Sequence, residues 1–380
     1  MIFKNYLNIK NNKKIKRDFQ NLLKDQPLLF KTLKPNYKYS YSKKILSKYQ
    51  KFSNIRIIGM GGSILASEAI YNFLIKKIKK KITFINNLNS NVGYAQDKNI
   101  NLNLIISKSG NTLETIVNAN TLIKDKEKNI IITEDKDSYL TNLAKKLKAE
   151  VIEHKNYVGG RYSVLSEVGM LPAELMNLNV NKFKQFNNLI KNKIFVKNLV
   201  NNVAATLNLI KSKKYTSIIL NYDEQSESLF KWYQQLIAES LGKKSKGILP
   251  LVSTMPKDNH SLMQLYLDGP KNFFYTFFDV FDNDVIKIRN NRILDSHEYL
   301  KNKTIEKIKQ SQMLATEKVF LSKKIPFRSF RIPKRSEQSL GELFCFFILE
   351  TILLGRALNV NPYDQPSVEL IKKETKKILS

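Results

Sequence analysis

The sequence contains few of the residues that build disulfide frameworks and metal centres. Its 380 residues include one cysteine, Cys345, and three histidines. A single cysteine excludes an intramolecular disulfide and a cysteine-rich zinc site, and it favours a reducing, cytoplasmic location. Because three histidines leave few ligands for any other centre, a metal site is not expected.

Long apolar runs are also missing. No stretch approaches the roughly 18 consecutive apolar residues of a membrane span, so no membrane partner is expected. Residues 1–17 lack the apolar core and cleavage site of a secretory signal, which argues against secretion. Asp18 and Asp25 follow closely, and Ser and Arg are not enriched, so a mitochondrial presequence is disfavoured as well.

Acidic residues are scarce beside basic ones, with 33 Asp and Glu against 64 Lys and Arg and a net charge of +31. Such a charge makes nucleic acid the first partner to consider. The lysines, however, are spread over the whole chain among many Asn and Ile. We therefore predict a dispersed basic surface that attracts small anionic substrates, and no nucleic-acid partner.

Short β-branched runs alternate with amphipathic stretches from residue 55 onwards. The runs are apolar on both faces, which is typical of central strands in a parallel sheet, and the stretches between them are long enough for crossover helices. This pattern predicts an α/β fold with two mainly parallel sheets, each flanked by helices. The first-sheet strands are predicted at 55–58, 82–86, 102–107, 130–133 and 151–154, and those of the second at 216–220, 247–252, 273–281 and 327–332.

The same pattern divides the chain into five parts. We predict an N-terminal segment over 1–47, a first domain over 48–168, a linker over 169–195, a second domain over 196–358 and a C-terminal helical arm over 359–380. The polar stretch 177–192 is interpreted as a linker or surface helix. In the arm, Pro366 suits a first helical position, so Gln365 is predicted to cap a helix that carries Lys372.

Two loops after strands of the first sheet contain residues suited to binding an anion. Glycines 59, 61 and 62 and Ser63 form a strand-to-helix turn that permits close backbone approach. The segment 107–115 combines hydroxyl groups with a predicted helix start, which is a phosphate cradle or simply an N-cap. Because ligands of open parallel sheets bind beyond the carboxyl ends of strands, the two loops are expected to lie together. The candidate residues are Gly62, Ser63, Ser107, Lys108, Ser109 and Thr112.

Four further motifs contain residue types suited to catalysis. Arg161 follows two glycines, and its fork suits a phosphate or an enediolate. Glu239 stands one turn before a glycine stop, and His260 stands in a polar turn before a helix. Each also has a plain alternative: a surface ion pair for Arg161, a solvated carboxylate for Glu239, a turn residue for His260 and a Lys-rich tail for Lys372.

Taken in order, these motifs resemble the glucose-6-phosphate isomerase family, also called phosphoglucose isomerase, from about residue 55 to the end. The set runs Gly-Gly-Ser, Ser-Lys-Ser-Gly-Asn-Thr-x-Glu-Thr, Gly-Gly-Arg-Tyr-Ser, Glu-Ser-x-Gly-Lys, Asn-His-Ser and Asp-Gln-Pro-x-Val-Glu-Leu-x-Lys. The resemblance implies two sugar-isomerase (SIS) domains, a homodimer, no cofactor, and a hexose 6-phosphate substrate. The implied reaction interconverts glucose 6-phosphate and fructose 6-phosphate in glycolysis and gluconeogenesis.

The resemblance also implies roles for individual residues. Glu239 matches the base that moves a proton between C1 and C2, and Arg161 matches the arginine that stabilises the enediolate. His260 matches a ring-opening histidine that reaches the site from the partner subunit, and Lys372 matches a lysine that assists ring opening. Gln365 matches a glutamine that contacts the sugar, and the two loops match the phosphate and sugar loops.

Some positions depart from the family pattern. Ser-Gly-Asn-Thr replaces the usual Thr-Phe-Thr-Thr in the phosphate loop, Leu241 replaces an Asn, and Ser367 and Ile371 replace glycines. These departures leave open a bifunctional phosphoglucose and phosphomannose isomerase. A non-enzymatic SIS-domain sensor of sugar phosphates is a second alternative, against which the joint presence of Glu239, His260 and Lys372 argues. An aminosugar synthase is disfavoured because no N-terminal nucleophilic cysteine is present.

Overall fold

Two five-stranded sheets organise the computed structural model, which describes residues 1–4, 6, 12–88, 100–281 and 286–380. In the first sheet all neighbours are parallel and the order is β3-β2-β4-β5-β6. In the second sheet the order is β8-β7-β9-β10-β1. The strands are β1 (Ile2–Lys4), β2 (Asn54–Gly59), β3 (Lys81–Ile85), β4 (Leu102–Ile106), β5 (Lys128–Thr133), β6 (Glu150–Glu153), β7 (Thr216–Asn221), β8 (Leu249–Thr254), β9 (Phe273–Val280) and β10 (Phe327–Ile332).

Helices connect the strands and cover the sheets. Ser138 caps one of them with a reciprocal capping box, and Ser336 does the same for another. The helices are α1 (Lys13–Asp25), α2 (Lys43–Tyr49), α3 (Leu65–Phe73), α4 (Leu113–Leu122), α5 (Tyr139–Leu147), α6 (Glu167–Leu175), α7 (Phe186–Lys191), α8 (Lys193–Lys211), α9 (Glu227–Leu241), α10 (Met263–Asp268), α11 (Ile305–Ser322), α12 (Glu337–Ala357) and α13 (Val368–Leu379).

The predicted α/β class and parallel strands are confirmed. Ile57 and Ile58 are both buried although they point to opposite faces of β2, as expected for a strand covered by helices on both sides. Ile57 pairs with Phe84 on one side and Leu104 on the other. Each strand predicted from residue 55 onwards lies within two residues of its observed bounds.

The second sheet contains a strand that the sequence did not indicate. β1 pairs antiparallel with β10, and its Phe3 lies opposite Phe330. The remaining neighbours in this sheet are parallel. A strand of three residues is too short for an alternating pattern, so only the tertiary pairing reveals it. The N-terminal segment therefore extends the sheet of the second half of the chain.

The apolar helix α12 lies at the centre of the core. It packs against α8 and α9. Gly341 lies so close to Phe183 that a Cβ on Gly341 would be 2.2 Å from the Phe183 carbonyl oxygen. Phe183 and Phe186 are buried, so one face of the stretch 177–192 packs into the core. The five-part division of the chain stays a prediction.

The C-terminal arm differs from its prediction in detail. α13 begins at Val368, with Ser367 at the N-cap position and no side-chain capping bond. Gln365 is therefore not the cap, because its side chain is bonded to Arg161 instead. None of the side chains of α13 is buried. Among the described residues, no helix is long and apolar enough to cross a membrane.

Candidate active site

The candidate site lies at the point where the order of strands in the first sheet reverses. β3 lies on one side of β2 and β4 on the other, so a crevice opens between the carboxyl ends of β2 and β4. Gly59 pairs with Ile106 at this edge, and the two predicted anion-binding loops follow these residues. The expectation that the two loops lie together is met by this register.

The loop after β4 has the features of a small anion cradle. The hydroxyl oxygens of Ser107 and Thr112 are 2.8 Å apart, and the amide of Asn111 donates to Ser109 Oγ at 3.2 Å. Gly110 has φ +70°, a left-handed conformation that favours glycine. Thr112 is the N-cap residue of α4, yet its side chain makes no capping bond. The hydroxyl groups thus gather at a helix start where amides favour an anion.

Lys108 occupies the same loop, but its side chain is bonded elsewhere. Its Nζ donates to the Asn156 carbonyl oxygen at 2.8 Å and lies 3.6 Å from Glu134 Oε1. These bonds tie the cradle to the segment that precedes Arg161. The role of Lys108 in substrate binding stays a prediction.

The turn after β2 is packed directly against the turn that carries Arg161. A Cβ at Gly62 would lie 2.2 Å from the Gly160 carbonyl carbon, so only glycine fits. Ser163 Oγ donates to the carbonyl oxygens of Gly160 at 2.7 Å and Gly62 at 3.2 Å. Ser63 completes this turn as the last residue of the 3-10 helix Gly61–Ser63. These contacts link the position of the Arg161 guanidinium to that of the loop after β2.

Arg161 is buried and uses all of its donors. The acceptors come from α9 and from the segment before α13, two stretches that are far apart in sequence. Because a buried guanidinium is costly unless each N–H is paired, this arrangement fixes the cation firmly. The five bonds are Nε to Ser240 Oγ (2.8 Å), Nη1 to Glu239 Oε2 (3.3 Å), Nη1 to Gln365 Oε1 (2.5 Å), Nη2 to the Pro362 carbonyl (2.7 Å) and Nη2 to the Asp364 carbonyl (3.1 Å).

Glu239 lies beside this cation near the end of α9. Its side chain is 30% exposed, so a ligand in the crevice can reach it. Gln235, one turn earlier, donates from Nε2 to Glu239 Oε1 at 3.0 Å. Sequence reasoning missed Gln235, although its spacing of four residues on a helix places it on the same face as Glu239. The two carboxylate oxygens are therefore oriented separately, one by Gln235 and one by Arg161.

The structure brings together some predicted residues and leaves others apart. Arg161, Glu239 and Gln365 form one bonded group. His260 is exposed at the end of the 3-10 helix Lys257–His260, and Lys372 is exposed on α13, where it donates to Glu369 at 2.6 Å. Among the described residues, no hydrogen bond or ion pair links either one to Arg161 or Glu239. In the single chain, therefore, the predicted ring-opening residues lie outside the bonded group.

The described residues of the crevice form no metal centre. Across the described ranges, no group of three or more His, Cys, Asp and Glu side chains is arranged to hold a metal ion. What the site offers is a partly exposed carboxylate, a buried guanidinium and a hydroxyl-lined helix start. This set can move a proton next to a carbonyl group and hold an anion.

The sequence is similar to many known proteins. The family model described as phosphoglucose isomerase matches residues 41–380. A glucose-6-phosphate isomerase of Methanocaldococcus jannaschii is 34% identical over 356 aligned positions, which cover 86% of this chain and 85% of that protein. A glucose-6-phosphate isomerase of Mycoplasmopsis synoviae is 32% identical, and the alignment covers 85% of this chain and 81% of that protein.

The fold is also similar to solved structures. A hypothetical protein of Thermus thermophilus superposes with a TM-score of 0.85 at 21% identity, covering 97% of this chain and 94% of that one. A glucose-6-phosphate isomerase of Chlamydia trachomatis superposes with a TM-score of 0.72 at 19% identity, covering 88% and 71%. At such identities the structures establish the fold alone, whereas the family model and the sequence relatives establish descent. The chain belongs to the phosphoglucose isomerase family.

Proposed function

We propose that this chain interconverts D-glucose 6-phosphate and D-fructose 6-phosphate through ring opening and a cis-enediol intermediate. Family membership supports this reaction, and relatives that align with most of the chain are named glucose-6-phosphate isomerases. The observation that carries the chemistry is the 3.3 Å pairing of partly exposed Glu239 with buried Arg161. A proton acceptor and a fixed cation then lie side by side. The reaction belongs to glycolysis and gluconeogenesis.

In the proposed step Glu239 takes the proton from C2 of the open-chain aldose. The electron pair of the broken C2–H bond forms the C1–C2 double bond, and the carbonyl oxygen at C1 gains the negative charge. The positive charge of the Arg161 guanidinium, which is fixed beside Glu239, stabilises that charge. Glu239 then returns the proton to C1, while the hydroxyl proton on O2 is lost to O1 and the ketone forms at C2. Each of the two groups contributes on the order of 10²-fold or more.

The phosphate group would be held by the cradle at the start of α4. The hydroxyl groups of Ser107, Ser109 and Thr112 can each donate to a phosphate oxygen, and the amides of the helix start add to them. Gly62 and Ser63 complete the binding site on the other side of the crevice. With a net charge of +31, the protein attracts a dianionic substrate over a distance.

Ring opening requires an acid and a base that the bonded group in one chain does not supply. We therefore propose a homodimer with shared active sites, in which His260 serves the site of the partner subunit. Lys372 is proposed to act in ring opening from α13. The exposure of His260 supports this arrangement, because an exposed side chain that is not bonded to Arg161 or Glu239 of its own chain is free to contact a partner subunit. The cytoplasmic location inferred from the single cysteine stays a prediction.

The family match favours neither alternative from the sequence. In the phosphate loop, the side chain of Asn111 accepts a hydrogen bond from the amide of Tyr139 at 2.9 Å, so it is engaged at the start of α5. A non-enzymatic sensor of sugar phosphates would have no need for the Glu239 carboxylate, which is held by two hydrogen-bond donors.

A coupled assay that converts fructose 6-phosphate to glucose 6-phosphate in the presence of EDTA tests the proposed function. We expect turnover that EDTA leaves unchanged. The same assay with mannose 6-phosphate measures substrate breadth. Absence of turnover on fructose 6-phosphate by the purified, folded protein would overturn the proposed function.

A further inference from the structure

Ser240 follows Glu239 directly and contacts the Nε side of Arg161. Its side chain is fully buried, and its Oγ accepts the hydrogen bond from Arg161 Nε at 2.8 Å. The neighbouring hydroxyl of Tyr162 lies 2.9 Å from Ser240 Oγ. Neither hydroxyl was assigned a role by the sequence motifs. Both are attached to residues adjacent to the proposed catalytic pair.

The protons of this group can be assigned one by one. Tyr162 donates its only hydroxyl proton to the Pro362 carbonyl oxygen at 3.0 Å. The bond between Tyr162 and Ser240 must then use the proton of Ser240, which leaves an oxygen lone pair of Ser240 for Arg161 Nε. The Pro362 carbonyl also accepts from Arg161 Nη2 at 2.7 Å. The bonds therefore form a closed ring that begins and ends on the guanidinium.

The direction of this ring is fixed at every pH the protein is expected to meet. Burial raises the pKa of Tyr162 to about 12, so its hydroxyl keeps its proton. Trp232 Nε1 donates to the Arg161 carbonyl oxygen at 3.0 Å and so holds the backbone of the same residue. Rotation of the guanidinium would break several of these bonds at once.

We propose that Ser240 and Tyr162 are positioning residues that hold the Arg161 guanidinium with Nη1 directed to the side of Glu239, where the enediolate oxygen forms. This inference rests on the proposed isomerisation. Neither hydroxyl is required to touch the sugar. Their effect arises because a donor displaced by about 1 Å from the developing charge can lose on the order of 10²-fold in rate.

The experiment compares Ser240→Ala in the wild-type protein and in the Arg161→Lys variant. Lysine has no nitrogen at the position of Nε, so Ser240 has nothing to orient in that variant. We expect Ser240→Ala to lower kcat about tenfold to a hundredfold in the wild type with KM changed by less than about twofold. In the Arg161→Lys variant it should cause no further loss of kcat. Ser217→Ala is the matched control, because it removes a buried hydroxyl of β7 that has no hydrogen-bond partner among the described residues, and it should leave kcat unchanged.

A second variant keeps the inference testable if Ser240→Ala does not fold. Tyr162→Phe interrupts the same ring, so it should lower kcat and not KM, and Ser240→Ala combined with it should lose no more than the stronger single variant. Equal losses from Ser240→Ala in both backgrounds would overturn the positioning role. A wild type without isomerase activity would overturn the proposed function as well, whereas an active wild type with additive losses would overturn this inference alone.

Discussion

At the scale of single residues, burial sets which charges persist. Arg161 is buried with every donor paired, while Glu239 keeps an exposed face. A fixed cation therefore lies beside the side chain that is proposed as the base. One further titratable side chain close to the loops, that of His154, is also buried, and it affects the folding stability.

The protonation of His154 makes the folding stability depend on pH. Burial lowers its pKa from 6.5 to about 4, and its Nδ1 is bonded to the Lys155 carbonyl. Because the unfolded chain binds a proton below pH 6.5 and the folded chain does not, stability falls as pH decreases from about 6.5 to about 4.

We therefore expect wild type to lose more unfolding free energy than His154→Asn between pH 7.5 and pH 5. The difference should be on the order of 2 kcal/mol, measured by urea unfolding at both pH values. Asparagine retains a donor for the Lys155 carbonyl but does not titrate. Equal losses in the two proteins would show that His154 is not the group responsible.

At the scale of elements, the site depends on two turns pressed together. The Gly61–Ser63 turn leads into α3, and α3 packs against α9, which carries Glu239. The turn over Gly160–Leu165 carries Arg161. Any change that separates the turns therefore moves the cation relative to the loop after β2.

Substituting Gly62 tests this contact. Gly62→Ala places a Cβ 2.2 Å from the Gly160 backbone, so we expect a loss of about 1–3 kcal/mol in unfolding free energy and a marked fall in kcat/KM. Gly160→Ala is the matched control, because the nearest atom to its Cβ would be 3.8 Å away. Urea unfolding and the isomerase assay give both values. Equal tolerance of the two substitutions would argue against the close packing of the turns.

The phosphate cradle at the start of α4 is expected to bind ground and transition states alike. Ser107→Ala and Thr112→Val should then raise KM more than they lower kcat. Thr121→Val, which removes an exposed hydroxyl from the last part of the same helix, should change neither constant. Initial-rate measurements over a range of substrate concentrations separate the two effects. A fall in kcat with KM unchanged would contradict a phosphate-binding role.

Much of the fold was predictable because its strands are short, β-branched and buried on both faces, as in 102–106. β1 was not predictable, because its three residues acquire a strand conformation only by pairing with β10. The start of α13 was misplaced because Pro366 suits a helix start, yet Gln365 is bonded to Arg161 and the helix begins later. Gln235 and Ser240 were missed because their importance comes from contacts between distant segments.

At the scale of the whole molecule, the described part of one chain does not bring a complete site together. α13 exposes apolar side chains on a basic helix, and His260 is exposed on the second half of the chain. The apolar residues are Val368, Leu370, Ile371, Ile378 and Leu379. An arrangement in which two copies share their sites accounts for the position of His260.

Mixing two inactive variants tests that arrangement. His260→Ala and Glu239→Gln should each be inactive, and activity should return when their subunits exchange, because one site of the heterodimer then has both residues intact. If His260 served its own chain, every mixed site would contain one lesion and no activity would return. Subunit exchange is confirmed with two distinguishable affinity tags. Persistent inactivity after confirmed exchange would exclude shared sites.

The most direct test of the account is the exchange of substrate hydrogen with tritiated water in the Glu239→Gln variant. Glutamine is nearly isosteric with glutamate but cannot accept the C2 proton, so the variant should fold, bind substrate and incorporate no tritium at C1 or C2. Wild type should incorporate tritium together with isomerisation. Exchange at the wild-type rate in Glu239→Gln would assign the base to another residue and contradict the central claim.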